Sequence, residues 1–153
     1  MTCIAFTVPG QPQGKARARV GMINGHARMF TPAKTAAYEG LIATVAQQAM
    51  RDRELFEGPC SISLDVVLQI PASWSKRKQA MAEAGSIKPT TKPDVDNVLK
   101  AVGDGCNGVV WRDDSQVVQV TMAKRYGVKP GVTVVIAYAY PGMYSPQQEE
   151  VEA

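Results

Sequence analysis

The amino-acid sequence predicts a single α+β domain in which helices cover a mixed β-sheet. Three observations carry that expectation. A period-2 apolar run lies at Ile62 to Ile70 and β-branched runs follow near the end of the chain, a run of helical period precedes them, and Gly- and Pro-bearing turns separate the segments. The predicted order is β, hairpin, α, β, α, α, β, β, with no internal repeat. At 153 residues one domain is expected, spanning 1–140, with a flexible acidic tail over 141–153 that holds Glu149, Glu150 and Glu152.

Taken in order, Cys3 to Val8 is a short apolar strand closed by Pro9-Gly10. Gln11 to Ala27 is a Gly-rich basic stretch. Asn24-Gly25 within it is the dipeptide of a tight β-turn, so a hairpin with an exposed tip is predicted near Arg19 to Arg28. Thr31-Pro32 reads as an N-cap followed by a first-turn proline, and Tyr38, Leu41, Ile42 and Val45 continue at helical spacing. Ile62, Leu64, Val66, Leu68 and Ile70 alternate with polar neighbours, the pattern of a half-buried strand. Ser73 to Ala84 has the composition of a polar helix, with Ser73 or Ser75 as cap and Gly85 as stop. A short helix is predicted from Asp94 or Val95, ending at Gly103 or Gly105. Val117 to Lys124 and Val132 to Tyr140 are β-branched strands, and Tyr126 to Gly131 between them reads as a hairpin.

Composition excludes several function classes. With 45% hydrophobic and 20% charged residues the chain is an ordinary globular one. It has neither a membrane-length apolar run nor the regions of a signal peptide, so a cytoplasmic location is expected. Cys3, Cys60 and Cys106 are scattered, odd in number and lack a C-x-x-C pair. They are expected to be buried small hydrophobes. His26 is the only histidine, which disfavours His-based metal sites and paired imidazole catalysis. Acid–base and metal chemistry must then rest on carboxylates and lysines.

Charge is distributed unevenly. The first 38 residues contain no acid, while Lys15, Arg17, Arg19, Arg28 and Lys34 lie among Gly, Pro and Gln. A second basic group, Lys76, Arg77 and Lys78, precedes an acidic segment. Two cationic stretches flanking clustered carboxylates suit a polyanionic substrate whose phosphates need neutralising. Lys15, Arg17 and Arg19 are the first candidates for phosphate contacts, and Lys76, Arg77 and Lys78 the second. Either group read alone is also an ordinary solvated loop.

The chemistry is expected between residues 94 and 114. Five carboxylates fall there, Asp94, Asp96, Asp104, Asp113 and Asp114, and none is Glu. Hard cations such as Mg²⁺ take oxygen ligands, usually one or two carboxylates completed by water and phosphate. Asp94 and Asp96 point the same way if the segment is extended. Lys100, four residues after Asp96, shares its face if a helix begins there, and could offset charge developing on a phosphate. Each half has a plainer reading: Asp94 as helix N-cap, Asp96 as first-turn acid, Asp113-Asp114 as a turn. Trp111 is expected to pack in the interior, and Trp74 is unassigned.

The run Lys92-Pro93-Asp94-Val95-Asp96-Asn97, then Lys100, Asp104, Gly108-Val109-Val110 and Asp113-Asp114-Ser115-Gln116-Val117, resembles the signature of the RusA family of Holliday-junction resolvases, common in bacteriophages. Lys124 and Tyr126 fit its usual end. Val8-Pro9-Gly10-Gln11-Pro12, the basic loop Lys15 to Arg19, and Phe30 through Glu39 resemble phage members of that family, so the similarity spans most of 4–140. The resemblance implies a RusA-like fold and a homodimeric, Mg²⁺-dependent endodeoxyribonuclease that nicks opposed strands of four-way DNA junctions in recombination and repair. It implies Asp94, Asp96 and Asp114 as catalytic, metal-binding acids and Lys100 as the catalytic lysine. By the same resemblance Asp113 becomes an auxiliary metal ligand and Asp104 a structural position. Residues 71–91 look like an elaboration outside the core motif. A nuclease for flaps or forks and a non-catalytic junction-binding protein remain the alternatives. A Ca²⁺-binding module lacks the spaced acidic loop it needs.

Overall fold

The structure, a computed structural model, describes residues 3–16 and 18–139, and its elements follow the predicted order. Strand β1 spans Cys3–Pro9, and the hairpin consists of β2 (Arg19–Ile23) and β3 (His26–Phe30). Asn24 and Gly25 turn it with φ of 51° and 78°, the left-handed pair that a two-residue hairpin requires. Helix α1 (Ala33–Met50) is followed by β4 (Cys60–Gln69), α2 (Lys76–Glu83), α3 (Val95–Cys106), a 3₁₀ turn at Asp114–Gln116, β5 (Val117–Gly127) and β6 (Gly131–Tyr138).

The main sheet is mixed, in the order β1-β6-β4-β5. Strand β4 pairs parallel with β5 and antiparallel with β6, and β1 pairs antiparallel with β6. The parallel pair demands a long crossover, and α2 and α3 supply it. Tyr126 to Gly131 is therefore not a hairpin. Strands β5 and β6 flank β4 on opposite sides, and the three residues between them cross its end. The reason lies in β4: Val66, Val67 and Leu68 are buried in succession, so both faces of that strand's end are covered and it takes the interior place.

One sheet face carries the core. Ile4, Phe6 and Val8 of β1, Val132, Val134 and Ile136 of β6, and Ile62, Leu64, Val66 and Leu68 of β4 meet Tyr38, Ile42, Ala46 and Met50 of α1 and Val98, Ala101 and Val102 of α3. The other face exposes Thr7, Ser63, Thr121 and Thr133, with Asp65 and Arg125 paired across it. The C-terminal tail, 141–153, lies outside the described residues. Among the described residues no helix is long and apolar enough to cross a membrane.

Several local expectations change. Helix α1 is capped by Pro32, not Thr31, because Pro32 keeps an extended ψ of 142° and the first helical residue becomes Ala33. Helix α2 starts at Lys76, where Ser75 accepts from the Lys78 N–H at 3.2 Å. Helix α3 runs through Gly103 and Gly105 rather than stopping. These glycines are packing positions: a Cβ on Gly105 would lie 2.6 Å from the Ile42 side chain, so the missing side chain lets α3 close onto α1. Cys60 and Cys106 are buried as expected, but Cys3 is exposed at the sheet edge because it falls on the outward phase of β1.

Trp111 is fully buried, with its indole N–H donating to Asn107 at 2.8 Å. Trp111→Ala is expected to cost about 3–5 kcal/mol through a large cavity beneath the site. Denaturant unfolding checks this; a loss under 1 kcal/mol would mean that the ring is not a core anchor.

Candidate active site

Helix α3 and the 3₁₀ turn build one concave site. Asp96 lies in the first turn of α3 and Lys100 one turn later, so both project from one helix face. They line a pocket of about 270 Å³ with Asp114, Leu99, Gly103, Val117 and Val120, with Ile62 and Trp111 beneath. Gly103 admits the remote segment: a Cβ there would meet Asp114 Oδ2 at 3.3 Å. Asp114 reaches the helix because α3 offers no side chain at that point.

The turn that carries Asp114 is tightly held. Asp113 accepts from the Ser115 N–H at 3.1 Å, and Gln116 answers by accepting from the backbone N–H of Asp113 and Arg112, a reciprocal capping box. The Gln116 amide also donates to the Phe56 and Gly58 carbonyls at 2.8 and 3.0 Å. Hydrogen bonding from Ser115 holds the Asp113 carboxyl below its usual 3.8. Asp113 thus serves the turn, and Asp114 faces the pocket.

A chain of alternating charges links three elements and the loop after β1. Lys100 Nζ lies 3.2 Å from Asp114 Oδ2 and 3.2 Å from Asp104 Oδ1, while Lys15 Nζ lies 2.9 Å from Asp104 Oδ2 and also pairs with Glu39 of α1. The hydrogen bond to Asp114, then Asp104, raises the Lys100 ammonium above the usual 10.5; Glu39, then Asp104, does the same for Lys15 against some desolvation. Both groups are raised, so the stability that these lysines gain from their partners is present at neutral pH and is lost on the alkaline side, as pH climbs through the folded-state values. Lys100 is charged at neutral pH and held in place from two sides.

The Asp94 carboxylate is placed differently from the expectation of two parallel acids. Because α3 starts at Val95, Asp94 is its extended N-cap residue, with φ −71° and ψ 147°, and Asp96 has already turned onto the helix. Asp94 lines an adjoining groove of about 580 Å³ with Lys15, Lys34, Lys92, Gln13 and Asn97. Its side chain makes no cap hydrogen bond. Lys124 Nζ donates to the Thr91 and Pro93 carbonyls at 2.9 and 3.2 Å and so fixes the loop that delivers Asp94.

No group of three or more His, Cys, Asp or Glu side chains is close enough to enclose a metal ion among the described residues. The donor chemistry nevertheless fits a hard cation of the Mg²⁺ kind, which needs only one or two carboxylates: Asp96 and Asp114 share one pocket, both as oxygen donors.

The other basic candidates stand elsewhere. Lys76, Arg77 and Lys78 occupy the first turn of α2 and line neither the pocket nor the groove. Lys78 lies 4.0 Å over the Trp74 ring, which packs edge-on against Tyr126. Trp74 is thereby accounted for as a packing residue. Arg17 lies outside the described residues, and Arg19 is described only through its backbone in β2. Glu39, Gln116 and Lys124 are site-building residues that the sequence placed only within family-like runs, with no role at the site. For Gln116 the signal was present, since D-x-x-Q is a capping-box pattern; for Glu39 and Lys124 it was not.

Asp104→Asn keeps the shape of the link but removes its charge, and is expected to slow the chemistry at the site about 10–100-fold with substrate binding retained, as for other outer partners that orient a reacting group. Single-turnover assays check this, and an unchanged rate would detach Asp104 from the site.

The family model described as Endodeoxyribonuclease RusA matches residues 9–137. A Bacillus subtilis (strain 168) protein, "Uncharacterized protein YqaN", is 42% identical over 138 residues, covering 89% of this chain and 96% of its own. The matched span contains α3, the 3₁₀ turn and every residue of the charge chain, and the chain belongs to the RusA endodeoxyribonuclease family.

Proposed function

We propose that the protein is a Mg²⁺-dependent, structure-specific endodeoxyribonuclease that resolves four-way DNA junctions by paired nicks, as a homodimer with one site per protomer. The observation that supports this most is the convergence of Asp96, Lys100 and Asp114 from two remote segments on one pocket. Asp96 and Asp114 would hold the ion, with Asp94 at the rim of the adjoining groove. When bound, such an ion would supply Lewis-acid charge for hydrolysis of the phosphodiester. Asp114 and Asp104 hold Lys100 so that its ammonium can face a non-bridging phosphate oxygen, where negative charge grows during attack. Lys15 restrains Asp104 from the far side, and Trp111 and Ile62 close the floor against water. A two-fold dimer would match the symmetry of opposed nicks.

The test is cleavage of labelled four-way, three-way and linear DNA with Mg²⁺ and with EDTA. Metal-dependent paired nicks in the four-way substrate alone support the reading. Preference for flaps or three-way substrates would keep the nuclease and change its target, and tight junction binding with no cleavage would make the protein architectural.

A further inference from the structure

Among the described residues the β2–β3 hairpin is largely exposed, and one of its faces is wholly apolar. Directly opposed residues share a face, so the register Val20↔Met29 and Met22↔Ala27 puts four apolar side chains on one side. Val20, Met22 and Met29 are 67%, 70% and 67% exposed. The other side is mixed: it carries His26, Arg28, the 54% exposed Ile23, and Phe30 with its ring over Gly21. An isolated two-stranded ribbon that buries no apolar face is marginal in water, so a partner is expected to cover this one.

The root of the hairpin points to that partner. Just before β2, the Lys15 N–H donates to the Asn97 carbonyl at 3.0 Å and the Ala16 N–H to Thr35 Oγ1 at 3.4 Å. Both ties sit in the groove that Asp94 lines. Five-residue strands at about 3.4 Å per residue reach roughly 17 Å outward from that root. A polyanion bound in that groove therefore meets the root of the hairpin. The acid-free first 38 residues complement such a chain in charge. The apolar face offers no hydrogen-bonding group to read paired base edges; it suits flat base surfaces freed from stacking, and methionine adapts to irregular gaps.

We propose that the hairpin is an arm whose apolar face, Val20, Met22 and Met29, seats against unstacked bases at a DNA branch point while Arg28 meets the backbone beside it. This rests on the reading of the protein as a nuclease of branched DNA. The test uses the full chain in EDTA with a four-way junction carrying 2-aminopurine at the branch point. Wild type raises the 2-aminopurine fluorescence; Val20→Ser/Met22→Ser/Met29→Ser removes that rise and weakens junction binding about tenfold or more, with linear-duplex binding unchanged. Arg28→Ala weakens both substrates alike and lowers the salt slope by about one. Because the three side chains are two-thirds or more exposed in the protomer, the thermal transition of the triple variant stays close to wild type. A triple variant that keeps both the fluorescence rise and its junction affinity overturns the proposal, as does one that converts a dimer to a monomer, since the face would then be a self-interface. Wild type that cuts junctions without perturbing the probe overturns the arm and leaves the nuclease intact; wild type that neither binds nor cuts them removes both.

Discussion

Asp96→Asn is expected to reduce junction cleavage by on the order of 10³-fold or more while leaving junction binding close to wild type. The substitution keeps side-chain volume and the α3 face but removes one of the two carboxylates that line the pocket. An ion held by two protein carboxylates loses half of its protein charge, and several kcal/mol of charge stabilisation at the phosphate go with it, each 1.36 kcal/mol being about tenfold in rate. Binding is expected to rest on basic residues and to be spared. Single-turnover cleavage and gel shift in EDTA separate the two effects. Cutting at wild-type rates would remove Asp96 from the reacting centre, and loss of binding would show that the change acts through folding.

Lys100→Met is expected to lower the cleavage rate about 10²–10³-fold, the scale for removing a positioned group that meets developing charge. Its signature differs from that of Asp96→Asn. Removing the ammonium leaves Asp104 and Asp114 without the cation that stands between them at 3.2 Å from each. The pocket becomes more negative, so the Mg²⁺ concentration giving half-maximal rate should fall or stay constant. A metal titration of the variant reads this directly. A rise in the Mg²⁺ requirement would mean that Lys100 organises the ligands and does not itself face the phosphate.

Much of the site could be read from local pattern because α3 is local. Asp96 and Lys100 are four apart, and a helix starting at Val95 places them on one face whatever surrounds it. The same logic left Asp94 open between an extended cap and a helical side chain, since a boundary of one residue decides between them, and the fold makes it the cap. Gly103 and Gly105 read as stops because glycine is poor in helices. Their true use, close approach of Asp114 and of Ile42, involves partners 11 and 63 positions away in sequence. Lys15 read as a free phosphate contact, and only the fold brings Glu39 and Asp104 to it.

The strands tell the same story at larger scale. Alternation and β-branching identified β4, β5 and β6 individually, because period-2 burial is a property of each segment. Pairing is not such a property. A short Pro-Gly link between β5 and β6 looks like a hairpin until β4, apolar on both faces at its end, takes the place between them. The chain on its own settled the elements, the acid inventory and the basic, acid-free N-terminal stretch, all of which follow from neighbours within a few residues. Which carboxylates share a pocket, which lysine is clamped and which faces stay bare were decided by contacts between distant segments, because those depend on how the whole core closes.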